Sequence, residues 1–323
     1  MTTVTQKPPR SREEIETQIG LVIRWILIVF FAIVTIFPFY WMVNLSLRPE
    51  QDILTNPTKL VPTTEDIQTT LHPVGCWLRY GTDELDENPD ISEDCVNVFG
   101  QSSFTIVLAE QGFPPFILNS LLLALLTVTL TLFLAIPGAY AITRLQFPGR
   151  NMMSGGILLI YMFPAIVLAI PLFVVFTRTG LRETLEGLVI VYMSGTLPVA
   201  LYMLRSYFLT IPPDLEEAAQ IDGCTRAETI WRITIPLSMP AIASVALYTF
   251  MIAWNEFLYA FLFLVAEPER WTLPLGLARL NSQEVPVSAL MAGSLIVSIP
   301  IIVIFFFFEK FLTQGLTAGA VKG

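Results

Sequence analysis

The sequence predicts an all-α membrane protein with six transmembrane helices and a polar helix hairpin between the fourth and the fifth. Composition and spacing carry that expectation. Of 323 residues, 54% are hydrophobic and only 14% charged, where a soluble domain carries roughly 25% charge. Mean hydropathy is +0.65. The apolar residues also fall into runs near the length of about 20 residues that crosses a bilayer.

The first run covers 21–43 and follows a polar N-terminal segment, 1–20. It is too long for the apolar core of a signal peptide, and it ends in PFYWMVNLSL with no small-residue cleavage site. A retained helix is therefore expected. The other five runs cover about 116–141, 156–176, 187–205, 240–265 and 287–308, inside a core of 116–311. A glycine-rich tail, 312–323, follows.

The net charge of −9 belongs to one loop. Between Asn44 and Pro115 there are twelve acids and three bases (Arg48, Lys59, Arg79), which accounts for the whole excess. Lys7, Arg10, Arg12 and Arg24, then Arg144 and Arg150, then Lys310 and Lys322 mark one side as cytoplasmic by the positive-inside rule. Both termini then lie in the cytoplasm, and the acidic loop 44–115 lies outside. Its NPT, VPTTED and ENPD segments read as turns with few long elements. Cys76 and Cys95 share that loop in an oxidising compartment. A disulfide between them would contribute about 3 kcal/mol in the chain-entropy model; two unpaired thiols are the alternative.

Several function classes find no support. No Gly-Lys pair exists, so no Walker A loop can cradle a nucleotide. One histidine, His72, offers neither a metal site nor a catalytic triad. Nothing points to nucleic acid.

The stretch EEAAQIDGCTRAETIWRITIPLSMP, 216–240, is the most polar part of the second half. Pro212 and Pro213 suit a helix start. Asp214, Glu216 and Glu217 favour its dipole and read as exposed acids. Leu215, Ala218, Ala219 and Ile221 give a small apolar face. Asp222-Gly223 stops the helix with a left-handed cap, and Thr225 with Glu228 forms a capping box for a second short helix ending before Pro236. Two short helices and a tight turn make either a docking knob or a solvated hairpin; the residues alone leave both open.

This stretch resembles the EAA loop of ABC importer permeases, E-A-A-x(3)-G-x(9)-I-x-L-P. Glu217-Ala218-Ala219, then Gly223, then Ile233, Ile235 and Pro236 occupy its anchors, with isoleucine where leucine is usual. FPFYWMVNLSLRP, AYAITRLQFPGR, YMFPAIVLAIPLFVVFTRTG and the tail QGLTAGAVKG are similar to MalG-type subunits of carbohydrate importers. The acidic loop matches least. The resemblance implies the type I importer permease fold and a coupling loop, 213–236. Its Glu217, Ala218, Ala219, Asp222, Gly223, Ile233 and Pro236 would seat on an ATPase subunit. It implies four kinds of partner: a second homologous permease, an ATPase dimer, an extracytoplasmic sugar-binding protein and the lipid bilayer. ATP-Mg would be bound by the ATPases and no cofactor by this chain, which would perform no chemistry. The tail would reach the ATPase interface.

An ionisable residue inside a span is a functional candidate. Trp254-Asn255-Glu256-Phe257 lies about 15 Å into the fifth run. Its acceptors and rings suit a neutral polyol, or else brace helices. Asn119 reads as a cap or brace with a substrate role as the alternative. Met162-Phe163-Pro164 could line a gate or pack a core, and Gly195 and Pro198 share that ambiguity. The function expected is the permease subunit of an importer for a di- or oligosaccharide such as maltose or trehalose, working by alternating access. The rivals are a permease for a polyamine or glycerol phosphate, and an ion-coupled carrier. Glu256 is the single deep acid, and no internal repeat favours the carrier.

Overall fold

The computed structural model describes residues 12–87, 102–161, 163–282 and 285–320. Among them there is helix and no strand. α1 (Arg12–Ser46) is apolar on every side, and its side chains from Leu21 to Tyr40 stay exposed, as on a helix facing lipid. It lies against the last helix, α13 (Val287–Ala320).

The loop after α1 is more structured than its composition suggests. α2 (Glu50–Thr55) is followed by α3 (Thr64–Glu87), a helix of 24 residues that carries Pro73 inside. This corrects the expectation of turns with few long elements. Ile67, Thr70, Pro73, Val74, Cys76 and Trp77, buried or half-buried at helical spacing, give α3 one packed face that overrides the turn-forming residues around it, and Glu65 and Asp66 favour the helix start.

An ionic knot fastens this loop to the bundle. Arg48 is fully buried and donates to Asp52 Oδ2 at 2.6 Å, to Asn56 O at 2.7 Å and to Asp52 O at 3.0 Å. Lys59 then bridges Asp52 (3.1 Å) and Asp66 (2.6 Å). Burial pushes both carboxyls up, but the hydrogen bonds from Arg48 and Lys59 to Asp52, and from Lys59 and Thr63 to Asp66, leave both below the usual carboxylate range. Glu50 accepts the N–H of Ser288 at 3.3 Å, which ties the knot to the start of α13. Cys76 is buried and disulfide-bonded. Cys95 lies outside the described residues.

The core helices are α4 (Phe113–Arg144), α7 (Leu185–Phe208) and α10 (Met239–Trp254), which pack along one another. Small residues allow the approach. Ala135, Ala139 and Ala200 are fully buried, and a Cβ on Gly138 would lie 2.8 Å from Leu201 Cδ2. A second apolar cluster, around Phe113, Phe116, Trp254, Phe263 and Leu273, fills the opposite end near the acidic loop.

Four helices among the described residues are long and apolar enough to cross a membrane: Gly20–Ser46, Phe113–Arg144, Leu185–Phe208 and Val287–Phe311. The third and fifth expected runs are not continuous helices. The run 156–176 is split into α5 (Arg150–Tyr161) and α6 (Ala165–Thr179). Pro164 adopts ψ 131°, has no N–H to donate backwards and disfavours helix at Phe163. The run 240–265 ends α10 at Trp254 and restarts as α11 (Leu258–Leu264). Arg226–Leu237 and Met239–Trp254, bent by 79°, together make a fifth span if counted as one. α12 (Leu273–Leu280) then packs against α4 and α13.

Candidate functional site: the hairpin and the broken helix

The hairpin begins with α8 (Pro213–Ile221). Asp222 N–H bonds to Ala218 O at 2.9 Å, Gly223 N–H to Gln220 O at 3.1 Å, and Cys224 N–H to Ala219 O at 3.0 Å. The last two are the paired bonds of a Schellman cap. Gly223 sits at φ +94°, as that cap requires, with open space where a Cβ would be. Thr225 then closes the expected capping box: its side chain accepts Glu228 N–H at 3.3 Å, and Glu228 accepts Thr225 N–H at 2.8 Å. Those bonds, with Arg232 nearby, hold the Glu228 carboxyl below its usual range.

α9 (Arg226–Thr229) continues through a wider turn, Ile230–Thr234, in which Ile235 N–H bonds to Ile230 O. The chain stays helical through Pro236 to Leu237 and bends at Ser238. The expectation of an end before Pro236 is thus corrected. Proline has no N–H, so the ladder ahead of it shifts to a five-residue bond instead of stopping.

Glu217, Ala218, Asp222 and Gly223 are exposed, Ala219 is buried and Ile233 half-buried. Ile221 and Trp231 are 86% and 72% exposed, large apolar side chains held out among charges. One acid contradicts the expectation of exposure. Glu216 is buried, and its two oxygens lie 3.1 Å from Arg144 Nε at the end of α4. Sequence reasoning missed this pair because dipole complementarity already explained the glutamate. Arg144, at the edge of an apolar run with no local acid, was the available signal. Cys224 is a free thiol.

The second candidate region is the break after α10. Asn255 Nδ2 donates to Met251 O at 2.8 Å and closes α10. Glu256 Oε1 accepts Tyr259 N–H at 2.8 Å and Oε2 accepts Ala260 N–H at 3.1 Å, opening α11. Side chains thereby satisfy backbone groups that the broken ladder leaves free. Trp254 is fully buried, stacks on Phe250 and donates Nε1–H to Val297 O at 3.0 Å. Its ring therefore offers no open stacking face, because the indole N–H has found a partner inside the bundle.

Asn255 and Phe257 face a cleft of about 470 Å³, shared with Asn281, Met291 and Ser294 of the neighbouring elements. Asn119 lies elsewhere. It donates to Glu269 O at 3.0 Å and Trp271 O at 3.1 Å, bracing the loop before α12. Phe163 is exposed at the break before α6; Met162 lies outside the described residues. Among the described residues, no three His, Cys, Asp or Glu side chains converge as a metal site.

Residues 128–318 match the family model described as the binding-protein-dependent transport system inner membrane component. The inner membrane ABC transporter permease protein YcjP of Escherichia coli is 36% identical over 91% of this chain and 93% of that protein. The trehalose/maltose transport system permease protein MalG of Thermococcus litoralis is 34% identical over 97% of this chain and 99% of its own. In fold, the chain is similar to one from a crystal structure of a bacterial ABC transporter for alginate import. That likeness has TM-score 0.71 and 21% identity, and covers 95% of this chain and 100% of that one.

Proposed function

Since the chain belongs to the binding-protein-dependent transport system inner membrane component family, we propose that it is the permease subunit of an ABC importer for a carbohydrate, a di- or oligosaccharide. The hairpin carries the proposal. A rigid Schellman turn and a capping box hold Ile221 and Trp231 out in solvent among charged groups. Exposed apolar side chains in a polar frame mark a protein-docking surface. In this reading Glu217, Ala218, Ala219, Asp222, Gly223, Ile233 and Pro236 seat in a separate ATPase subunit that binds ATP-Mg. The hairpin end of the bundle is cytoplasmic, with both termini, and the acidic loop is outside. The sugar assignment is supported by the trehalose/maltose relative, which aligns over nearly its whole length.

The sugar path is proposed at the cleft beside the broken helix. Asn255 offers a side-chain oxygen and Phe257 an exposed ring, which together suit a polyol with an apolar face. Glu256 and Trp254 shape the path from behind, Asn119 braces the loop before α12 instead of lining the path, and Phe163 borders the gate at the other break. A second, homologous permease would cover the open side, and a sugar-binding protein would dock on the acidic-loop end. Six crossings follow if the two broken runs each span the membrane once.

Purification of the tagged chain from its native membrane, with partners identified by mass, tests the assembly. A Walker-type ATPase and a second EAA-bearing permease are expected. Reconstituted with the cognate binding protein, the complex should hydrolyse ATP faster with a sugar than with a polyamine or glycerol phosphate. A chain that purifies only with itself would overturn the subunit reading.

A further inference from the structure

Glu216 stands apart from the acids around it. Asp214 and Glu217 remain in water, where a helix start needs them, whereas Glu216 is 4% exposed. Three side chains from two other elements meet on its carboxylate. Arg144 Nε, from the last turn of α4, reaches both oxygens at 3.1 Å. Thr234, fully buried in the second arm of the hairpin, donates to Oε1 at 3.3 Å. The Tyr140 hydroxyl, one turn earlier on α4, lies beside it. Arg144 makes a further bond through Nη2 to Ile211 O at 2.7 Å, at the entry to α8.

We propose that Glu216 and Arg144 form the clamp through which the hairpin moves α4, so that they are a positioning pair for transport. The proposal rests on the reading of the hairpin as the ATPase-docking element. A buried ion pair contributes little net stability, since desolvation offsets its attraction, but it fixes one register between the parts it joins. Here the joined parts are the exposed hairpin and the helix that packs along both α7 and α10. Thr234 and Ile211 extend the grip to both arms, so displacement of either arm pulls on the same guanidinium–carboxylate unit. Apolar packing alone would let the hairpin slide over the small residues at this end of the bundle. Two charges that cannot part without being stranded in a dry site do not allow that.

The test is the full reconstituted complex in liposomes with its binding protein, read as solute moved per ATP hydrolysed. Glu216→Gln and Arg144→Gln should lower that ratio by about tenfold, the scale on which single contacts alter coupling, while ATP hydrolysis persists. The double variant Arg144→Glu/Glu216→Arg should recover part of the ratio. Arg144→Lys keeps the carboxylate paired, guards against failure to fold, and should lower the ratio less than Arg144→Gln. Wild-type ratios in Glu216→Gln and Arg144→Lys would overturn the clamp. So would transport and hydrolysis falling in equal proportion per assembled complex, the mark of a structural staple. Failure of the wild-type complex to couple hydrolysis to the binding protein would count against the transport reading instead.

Discussion

Glu256 accepts the backbone N–H of Tyr259 at 2.8 Å, and with its other oxygen that of Ala260 at 3.1 Å, so this carboxylate caps α11 at the break after α10. A cap of this kind contributes about 0.5–2 kcal/mol. Glu256→Ala should therefore lower the unfolding temperature of the complex in detergent while leaving its apparent affinity for the sugar nearly unchanged. Asn255→Ala should lower that affinity, and the unfolding temperature with it, because it also removes the bond to Met251 O that closes α10. An affinity loss confined to Glu256→Ala would place the carboxylate on the sugar.

Gly223 holds φ +94° with nothing within 4 Å of the point where a Cβ would stand, so a substitution there is opposed by the backbone alone. The left-handed conformation costs other residues about 1–2 kcal/mol, and a β-branched side chain more. Gly223→Val should insert normally yet lose most transport, with the ATPase still associated; Gly223→Asn, which tolerates that region, should retain most of it. Uptake assays beside membrane quantification decide between these outcomes.

The Arg48–Asp52–Lys59–Asp66 knot should resist acid until unusually low pH. Both aspartates are lowered from 3.8 in the folded state, so their contribution is present above that value and lost as pH falls through the lower folded values. Lys59, raised from 10.5 chiefly by its bond to Asp66, holds its contribution until pH rises through the folded value. A nitroxide at exposed position Thr58, placed as cysteine in a Cys224→Ser background, should keep its line shape from neutral pH down to the acid side of 3.8. Asp66→Asn should sharpen it at neutral pH.

Cys76 is disulfide-bonded and Cys224 is free, which leaves Cys95 as the proposed partner. Peptide mapping of the unreduced chain should yield one cross-linked pair containing positions 76 and 95, and a single alkylated thiol at 224. Recovery of position 95 as an alkylated thiol would refute that pairing.

Much of this molecule was legible in sequence because its causes are local. Hydrophobic length specifies which segments enter a bilayer, and the Thr225–Glu228 box and Gly223 turn are each specified within a few residues. The amphipathic α3 was missed, because the turn residues around it hid its apolar periodicity. The break after Trp254 was hidden for another reason: apolar composition continues across it, and only side-chain bonds such as Glu256 to Tyr259 reveal where the ladder stops, whereas the break before Ala165 had Pro164 as its local signal. By itself, then, the sequence determined a polytopic helical membrane protein with a capped hairpin, since burial in lipid and capping are decided by near neighbours. Tertiary structure alone decided that Glu216 lies buried on Arg144, 72 residues away, and that Trp254 turns its N–H to Val297. Such pairs depend on which helices pack together, and no residue's immediate neighbours contain that information.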